Sequence, residues 1–418
     1  MDHWVTRAAA MRPAREAMPG MSYAELELAA RQAAGSLAAM GVSPGDRVAL
    51  AMPAGAELAA ALHGCFLAGA SAVPIDLRLS AAERERRIGG AVVVDEPLSG
   101  PALERIEPLR LDSVATVMHT SGTTSEPRSV ALTFGNWLAN ALGSAVALGL
   151  DAHERWLCPM PLAHVGGLSI LLRSTVYATA AIVHERFDTE TVMTELMQAE
   201  RGITLVSLVP TMLARLLDAG LSEPPTLRWA LLGGGPIPPS LLERATAAGV
   251  AVAPTYGMTE AGSQIATHGW PLAGVELRLA DDGEVLVRGA NVAPAALAAD
   301  GWLHTGDLGE LDERRRLSII GRKADTIVTG GENVAPVEVE AALLSHPRVA
   351  DAGVFARLDD EWGEIVVATV VALDGSVTEE ELRAHCAERL ARFKVPKRIE
   401  FAAELPRTPS GKLLRRLL

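Results

Sequence analysis

The chain reads as an α/β protein. A large N-terminal domain of parallel-rich sheets is covered by helices and carries a β-rich subdomain, and a small α+β domain follows at the C-terminal end. Three observations predict this. Short apolar runs alternate with helical patterns as far as Ala280, which implies βαβ units and largely parallel sheets. Strand patterns closed by glycine then take over, as in Glu284-Val285-Leu286-Val287-Arg288-Gly289. From Asp325 a fresh unit mixes strands and helices at a size that can fold around its own core.

Taken in order, two long apolar stretches come first, at residues 58–75 and 165–183. His63, Gly64, Cys65, Gly69 and Pro74 interrupt the first, and Arg173 sits near the middle of the second. Both therefore read as buried helices of an α/β core rather than membrane spans. Strands are expected at residues 91–94, 114–118, 181–183, 203–208, 229–232 and 250–253. Amphipathic segments at 189–199 and 238–248 read as covering helices, the second with proline at its start and Gly249 at its stop. Strands follow at 283–289 and at 317–320, where Gly321 ends the run. The last unit is read as a helix at 336–345, strands at 352–355 and 364–371, and a helix at 378–390. The boundary is placed at 322–325, giving domains 1–322 and 323–418.

Composition narrows the class. Apolar residues make up 49% and charged residues 21%, which is globular rather than disordered. A net charge of −13 argues against nucleic acid as a partner. The three cysteines are far apart and odd in number, so neither a disulfide framework nor a metal-ligand cluster is expected. Reduced thiols in a cytoplasmic protein are the simplest reading. Met1-Asp2-His3-Trp4 opens no basic-then-apolar leader, and no integral membrane segment is expected. The four lysines, Lys323, Lys394, Lys397 and Lys412, all lie in the last quarter. A basic tail from Arg392 to Arg416 either faces solvent or meets an anionic ligand. Self-association is left open.

The chemistry centres on His119-Thr120-Ser121-Gly122-Thr123-Thr124-Ser125-Glu126-Pro127-Arg128. Hydroxyls and free backbone N–H groups on a loop after a strand can wrap a polyphosphate. It is not the common P-loop, because no G-x-x-x-x-G-K-[ST] occurs. Downstream stand Gly233-Gly234-Gly235, Tyr256-Gly257-Met258-Thr259-Glu260, Thr305-Gly306-Asp307, Gly321-Arg322, Gly330-Gly331-Glu332 and Ser410-Gly411-Lys412. The ordered series resembles the adenylate-forming superfamily of acyl-CoA synthetases, peptide-synthetase adenylation domains and luciferases, over nearly the whole chain.

That resemblance implies ATP, CoA and Mg²⁺ as cofactors and a carboxylic acid as substrate. It places Thr120, Ser121, Gly122, Thr123 and Thr124 on the β- and γ-phosphates, with Arg128 where relatives carry lysine. It gives Gly233, Gly234, Gly235, Tyr256 and Gly257 to the adenine pocket, Asp307 and Arg322 to the nucleotide, and Glu260, beside Thr259, to Mg²⁺. Lys412 is the implied adenylation lysine, bridging carboxylate and α-phosphate. The C-terminal domain is implied to be a mobile lid that turns after Arg322. One orientation brings in Lys412, and the other brings Gly330 and Gly331 near the adenylate. Ala324 stands at the hinge, where relatives carry Asp or Lys. The stretch 88–112 is short for the superfamily.

Two further stretches resemble the o-succinylbenzoate–CoA ligases of menaquinone biosynthesis: Pro159 through Arg173, with His164 at its centre, and Tyr256 through Ile265, with the pair Ser263-Gln264. o-Succinylbenzoate has two carboxylates. The aliphatic one is activated, and the aromatic one must be paired, since burying a bare charge is costly. Ser263, Gln264, Arg173 and His164 are the candidate partners. Arg173 could equally form a salt bridge on its helix, and His164 could be a gate over the acyl pocket. The alternatives are a CoA ligase for another aryl or medium-chain acid, a free-standing adenylation enzyme loading a carrier protein, and a non-catalytic nucleotide-binding protein.

Overall fold

The computed structural model describes residues 1–120, 128–373, 375, 377–407 and 413–418. Two sheets form the body of the large domain. The first has the order Val92–Val94, Arg47–Leu50, Ser71–Pro74, Val114–His119, Ser129–Thr133. Its first four strands are parallel and the last is antiparallel. The second runs Ala180–Val183, Arg155–Cys158, Leu205–Leu208, Trp229–Leu232, Val252–Met258 in parallel, then Ser263–Thr267 and Trp270–Pro271 antiparallel. Parallel strands covered on both faces need continuous apolar runs, and Leu205–Leu208 is buried throughout. One apolar core joins both sheets through helices Tyr23–Ala39, Ala56–Leu67, Phe134–Leu148 and Val165–Tyr177.

A four-stranded antiparallel sheet follows, Val275–Leu279, Glu284–Gly289, Leu303–Leu311 and Leu317–Arg322. The last unit is a mixed sheet in the order Glu332–Val334, Ile327–Thr329, Gly363–Ala372, Val349–Asp359, with Arg398–Phe401 pairing in parallel beside Gly363–Ala372. Helices Pro336–Leu344 and Glu379–Ala387 cover it over a core of its own.

The α/β expectation holds, with corrections. The first long apolar stretch is a helix followed by a strand rather than one buried helix, and in the second the helix ends before the strand expected at 181–183. Ala56–Leu67 stops before Gly69, at φ +73°, and the chain re-enters as Ser71–Pro74. Val165–Tyr177 ends where Ala178 turns left-handed at φ +55°, and Ala180–Val183 follows. An apolar run alone cannot separate a buried helix from a buried strand. The strand expected at 352–355 is the longer Val349–Asp359, because pairing continues to the turn at Gly363. Ser129–Thr133 and Arg398–Phe401 were not expected at all. All three cysteines are free and buried. No described helix is long and apolar enough to cross a membrane.

Candidate active site

The carboxyl ends of the second sheet and the edge of the antiparallel sheet assemble one group of candidates. Gly233 follows strand Trp229–Leu232, and a Cβ there would meet Thr255 Cγ2 at 2.6 Å and its carbonyl oxygen at 2.9 Å. Tyr256 and Gly257 lie on Val252–Met258, which pairs with Ser263–Thr267 through a register shift. A Cβ on Gly257 would come within 1.8 Å of the Ser263 carbonyl oxygen, so only glycine fits. Tyr256 reaches across to Asp307, donating from its hydroxyl to Oδ2 at 2.7 Å. Asp307 and Arg322 face each other on paired strands, and Arg322 Nε lies 2.7 Å from Asp307 Oδ1. Burial pushes the Tyr256 phenol up, and the neighbouring Asp307 charge adds to it. Tyr256 and Arg322 both engage Asp307, and an ionised carboxylate is an acceptor suited to hydroxyl donors.

The hydroxyl-rich loop joins Val114–His119 to Ser129–Thr133. Thr120 N–H donates to the Arg128 carbonyl at 2.9 Å, closing the loop's neck. Ser121, Gly122, Thr123 and Thr124 lie outside the described residues, as does Lys412. Thr259 and Glu260 sit in the 3₁₀ turn Thr259–Ala261, directly before Gly262. Among the described residues nothing pairs with the Glu260 carboxylate, and no three His, Cys, Asp or Glu side chains converge to hold a metal. That donor set fits Mg²⁺, which takes one or two carboxylates together with phosphate and water rather than an all-protein cage.

The second group surrounds helix Val165–Tyr177. His164 is its N-cap, and its Nε2 lies 3.6 Å from Asp76 Oδ2. Burial alone would raise the Asp76 carboxyl, but donors from Arg78 and His164 outweigh it and hold it well below the usual carboxylate range. About two and a half turns on, Arg173 is 2% exposed. Its Nη2 donates to Asn140 Oδ1, and its guanidinium lies 5.5 Å from the Trp156 ring centroid. Burial lowers it to about 10, so it remains a cation at neutral pH. No acid pairs with it among the described residues, and its Nε and Nη1 are buried without partners. Among the described residues Arg173 forms no salt bridge.

Asn140 links this cation to the Ser263-Gln264 strand. Its Nδ2 donates to the carbonyls of Gln264, at 2.9 Å, and Ala261, at 3.2 Å. The Gln264 amide donates to Thr267 Oγ1 at 2.8 Å, and its Oε1 is buried without a partner. Ser263 sits at φ +114°, a conformation that costs a non-glycine residue about 1–3 kcal/mol and is concentrated at functional sites. Sequence reasoning missed Asn140 and Asp76. The available signal was a short amide, Asn140, on the face of helix Phe134–Leu148 that also carries Trp137, Ala141 and Ser144.

Gly330 and Gly331 form the turn between Ile327–Thr329 and Glu332–Val334, with Gly330 N–H donating to the Trp362 carbonyl at 2.9 Å. A cavity of about 580 Å³ lies where the C-terminal unit meets the body. Asp76, Arg78, Arg186, Phe187, Arg215 and, from the tail, Arg407 line it, with Ala163 beside His164 at its edge.

The family described as AMP-binding enzyme matches residues 5–94 and 90–295, and the AMP-binding enzyme C-terminal domain matches 338–412. The chain is 39% identical to the 2-succinylbenzoate–CoA ligase of Bacillus licheniformis over the full length of both. Among solved structures it resembles o-succinylbenzoate CoA synthetase (MenE) from Bacillus subtilis. Against the complex with the acyl-adenylate intermediate OSB-AMP the TM-score is 0.91 at 36% identity, covering 100% of this chain and 97% of the other. The form with ATP and magnesium ion also gives 0.91, at 36% identity with 100% and 99% coverage. Against a double mutant bound with the product analogue OSB-NCoA the TM-score falls to 0.73, at the same 36% identity and with 100% and 98% coverage. The chain belongs to the AMP-binding enzyme family and carries that family's C-terminal domain.

Proposed function

We infer that this chain is an ATP-dependent, AMP-forming acid–thiol ligase. It converts o-succinylbenzoate, ATP and CoA to o-succinylbenzoyl-CoA, AMP and diphosphate, as in menaquinone biosynthesis. The observation that carries the choice of acid is Arg173: a desolvated cation whose Nε and Nη1 have no partner, and which no acid pairs, among the described residues. An isolated buried charge is costly, and a ligand carboxylate would complete it. We assign the aromatic carboxylate to Arg173, Ser263 and Gln264, with His164 at the mouth of the acyl pocket.

The aliphatic carboxylate oxygen attacks the α-phosphorus, and the bond to diphosphate breaks. The CoA sulfur, having lost its proton, then attacks the acyl carbon, and the bond to AMP breaks. Both steps need positioning and charge neutralisation more than covalent participation by the protein. We assign Asp307 and Arg322 to the nucleotide, and Gly233, Gly234, Gly235, Tyr256 and Gly257 to the walls of the base pocket. Thr120 through Thr124 and Arg128 go to the terminal phosphates, and Lys412 to the α-phosphate. Glu260 is the assigned Mg²⁺ carboxylate; the ion, when bound, draws charge from the phosphate oxygens. We take residues 323–418 as the lid. The higher similarity to the adenylate- and ATP-bound relatives supports reading this arrangement as the adenylation orientation, with Gly330 and Gly331 waiting for the thioester step. The body arginines of the 580 Å³ cavity, Arg78, Arg186 and Arg215, suit the anionic nucleotide end of CoA. Three free cysteines suit a cytoplasmic setting.

Mass spectrometry of products from a panel of acids with ATP and CoA tests the reading. The expected result is o-succinylbenzoyl-CoA as the dominant thioester. A different acyl-CoA, with none from o-succinylbenzoate, would overturn the substrate and leave the reaction class standing.

A further inference from the structure

Arg415 ties together three parts of the C-terminal unit. Its Nη2 donates to both oxygens of Glu340, at 2.9 and 2.7 Å. Its Nε reaches Glu340 Oε1 and the Val354 carbonyl, each at 3.2 Å, and its Nη1 reaches Asp325 Oδ2 at 2.9 Å. Glu340 is buried on helix Pro336–Leu344, and its Oε1 also accepts from Val354 N–H at 2.8 Å. Val354 belongs to strand Val349–Asp359, which pairs along its length with Gly363–Ala372, and Asp325 is the residue directly after Ala324.

The same segment is held again upstream. Arg407 Nη2 lies 2.7 Å from each oxygen of Asp351. Arg407 pairs with Leu413 as an antiparallel bridge, and Leu414 N–H donates to the Pro406 carbonyl at 2.9 Å. These contacts hold Leu413, the residue that follows Lys412 in sequence. Arg415 lies three positions beyond that lysine.

We propose that Arg415, acting through Glu340 and Asp325, is a positioning residue for the adenylation half-reaction. It fixes the residue after the hinge and the chain from Leu413, which directly follows Lys412 in sequence, to one frame. The proposal rests on the adenylation role assigned to Lys412 above. A buried charge pair is weak evidence for net stability, whereas a forked guanidinium–carboxylate pair fixes geometry well. Geometry is what a flexible four-carbon ammonium lacks by itself.

The test measures pyrophosphate release from acid plus ATP, and separately thioester formation from synthetic adenylate plus CoA, in the full-length enzyme. Arg415→Lys keeps the charge but not the fork; Asp325→Asn cuts only the tie to the hinge. Arg415→Lys is expected to lower kcat for adenylation by about 10- to 10²-fold, the scale of a small misplacement remote from the chemistry, with KM for ATP little changed. Thioester formation should stay near wild type, and Asp325→Asn should move adenylation in the same direction by less. Lys412→Ala runs beside them. If it leaves adenylation intact, the reading of Lys412 fails and the proposal falls with it. If it is defective while Arg415→Lys is not, the anchoring idea alone is overturned, as it is by equal losses in both half-reactions. Should Arg415→Lys fail to fold, Asp325→Asn decides by the same criteria.

Discussion

Lys412→Ala should lower the rate of acyl-adenylate formation by about 10²–10³-fold, the effect of removing one preorganised donor from a transition state that gains charge. The same variant should convert synthetic o-succinylbenzoyl-adenylate and CoA to thioester at nearly the wild-type rate, because the proposal gives that step to the other lid orientation. Single-turnover measurements of the two half-reactions check it. If the lysine were only one more charge on a basic tail, both rates would stay near wild type.

The second large effect is expected at Arg173. Arg173→Met keeps much of the apolar volume and removes the charge. With o-succinylbenzoate, kcat/KM should fall by about 30-fold or more, since losing one member of a buried, hydrogen-bonded charge pair costs about 2–5 kcal/mol. With 4-oxo-4-phenylbutanoate, which lacks the ring carboxylate, the variant should match or exceed wild type. In wild type that analogue leaves the buried guanidinium unpaired, and unpaired groups are what discriminate against analogues missing a polar partner. Steady-state kinetics on the two acids decide. A parallel loss on both would make Arg173 a structural residue held by Asn140 and Trp156, with no part in choosing the acid.

Much of this site was legible in the chain because its chemistry is local. Tyr256 through Glu260, Thr305 through Asp307 and Arg322 are short runs, and the antiparallel sheet brings Asp307 opposite Arg322 by simple register. The strands of the parallel sheets were legible as apolar runs for the same reason. What escaped was set by distant packing. Asn140 matters only because its helix lies against both Arg173 and the Gln264 carbonyl, 33 residues before one and 124 before the other. Asp76 becomes notable only when it meets His164. The stretch at 58–75 was misread because apolar continuity hides the change from helix to strand, as it hid the end of the helix in 165–183. The deciding residues there were Gly69 and Ala178, each at positive φ.

The central claim is that the succinyl carboxylate is activated as an adenylate and then passed to CoA. One measurement tests it most directly: the fate of ¹⁸O in o-succinylbenzoate labelled at one carboxylate, followed by mass spectrometry of AMP, diphosphate and thioester. Label in both oxygens of the succinyl carboxylate should deliver one ¹⁸O to AMP and leave one in the thioester carbonyl, with none in diphosphate. Label in the ring carboxylate should stay wholly in the acyl group. Heavy oxygen in diphosphate, unlabelled AMP from the succinyl-labelled acid, or labelled AMP from the ring-labelled acid would contradict the account.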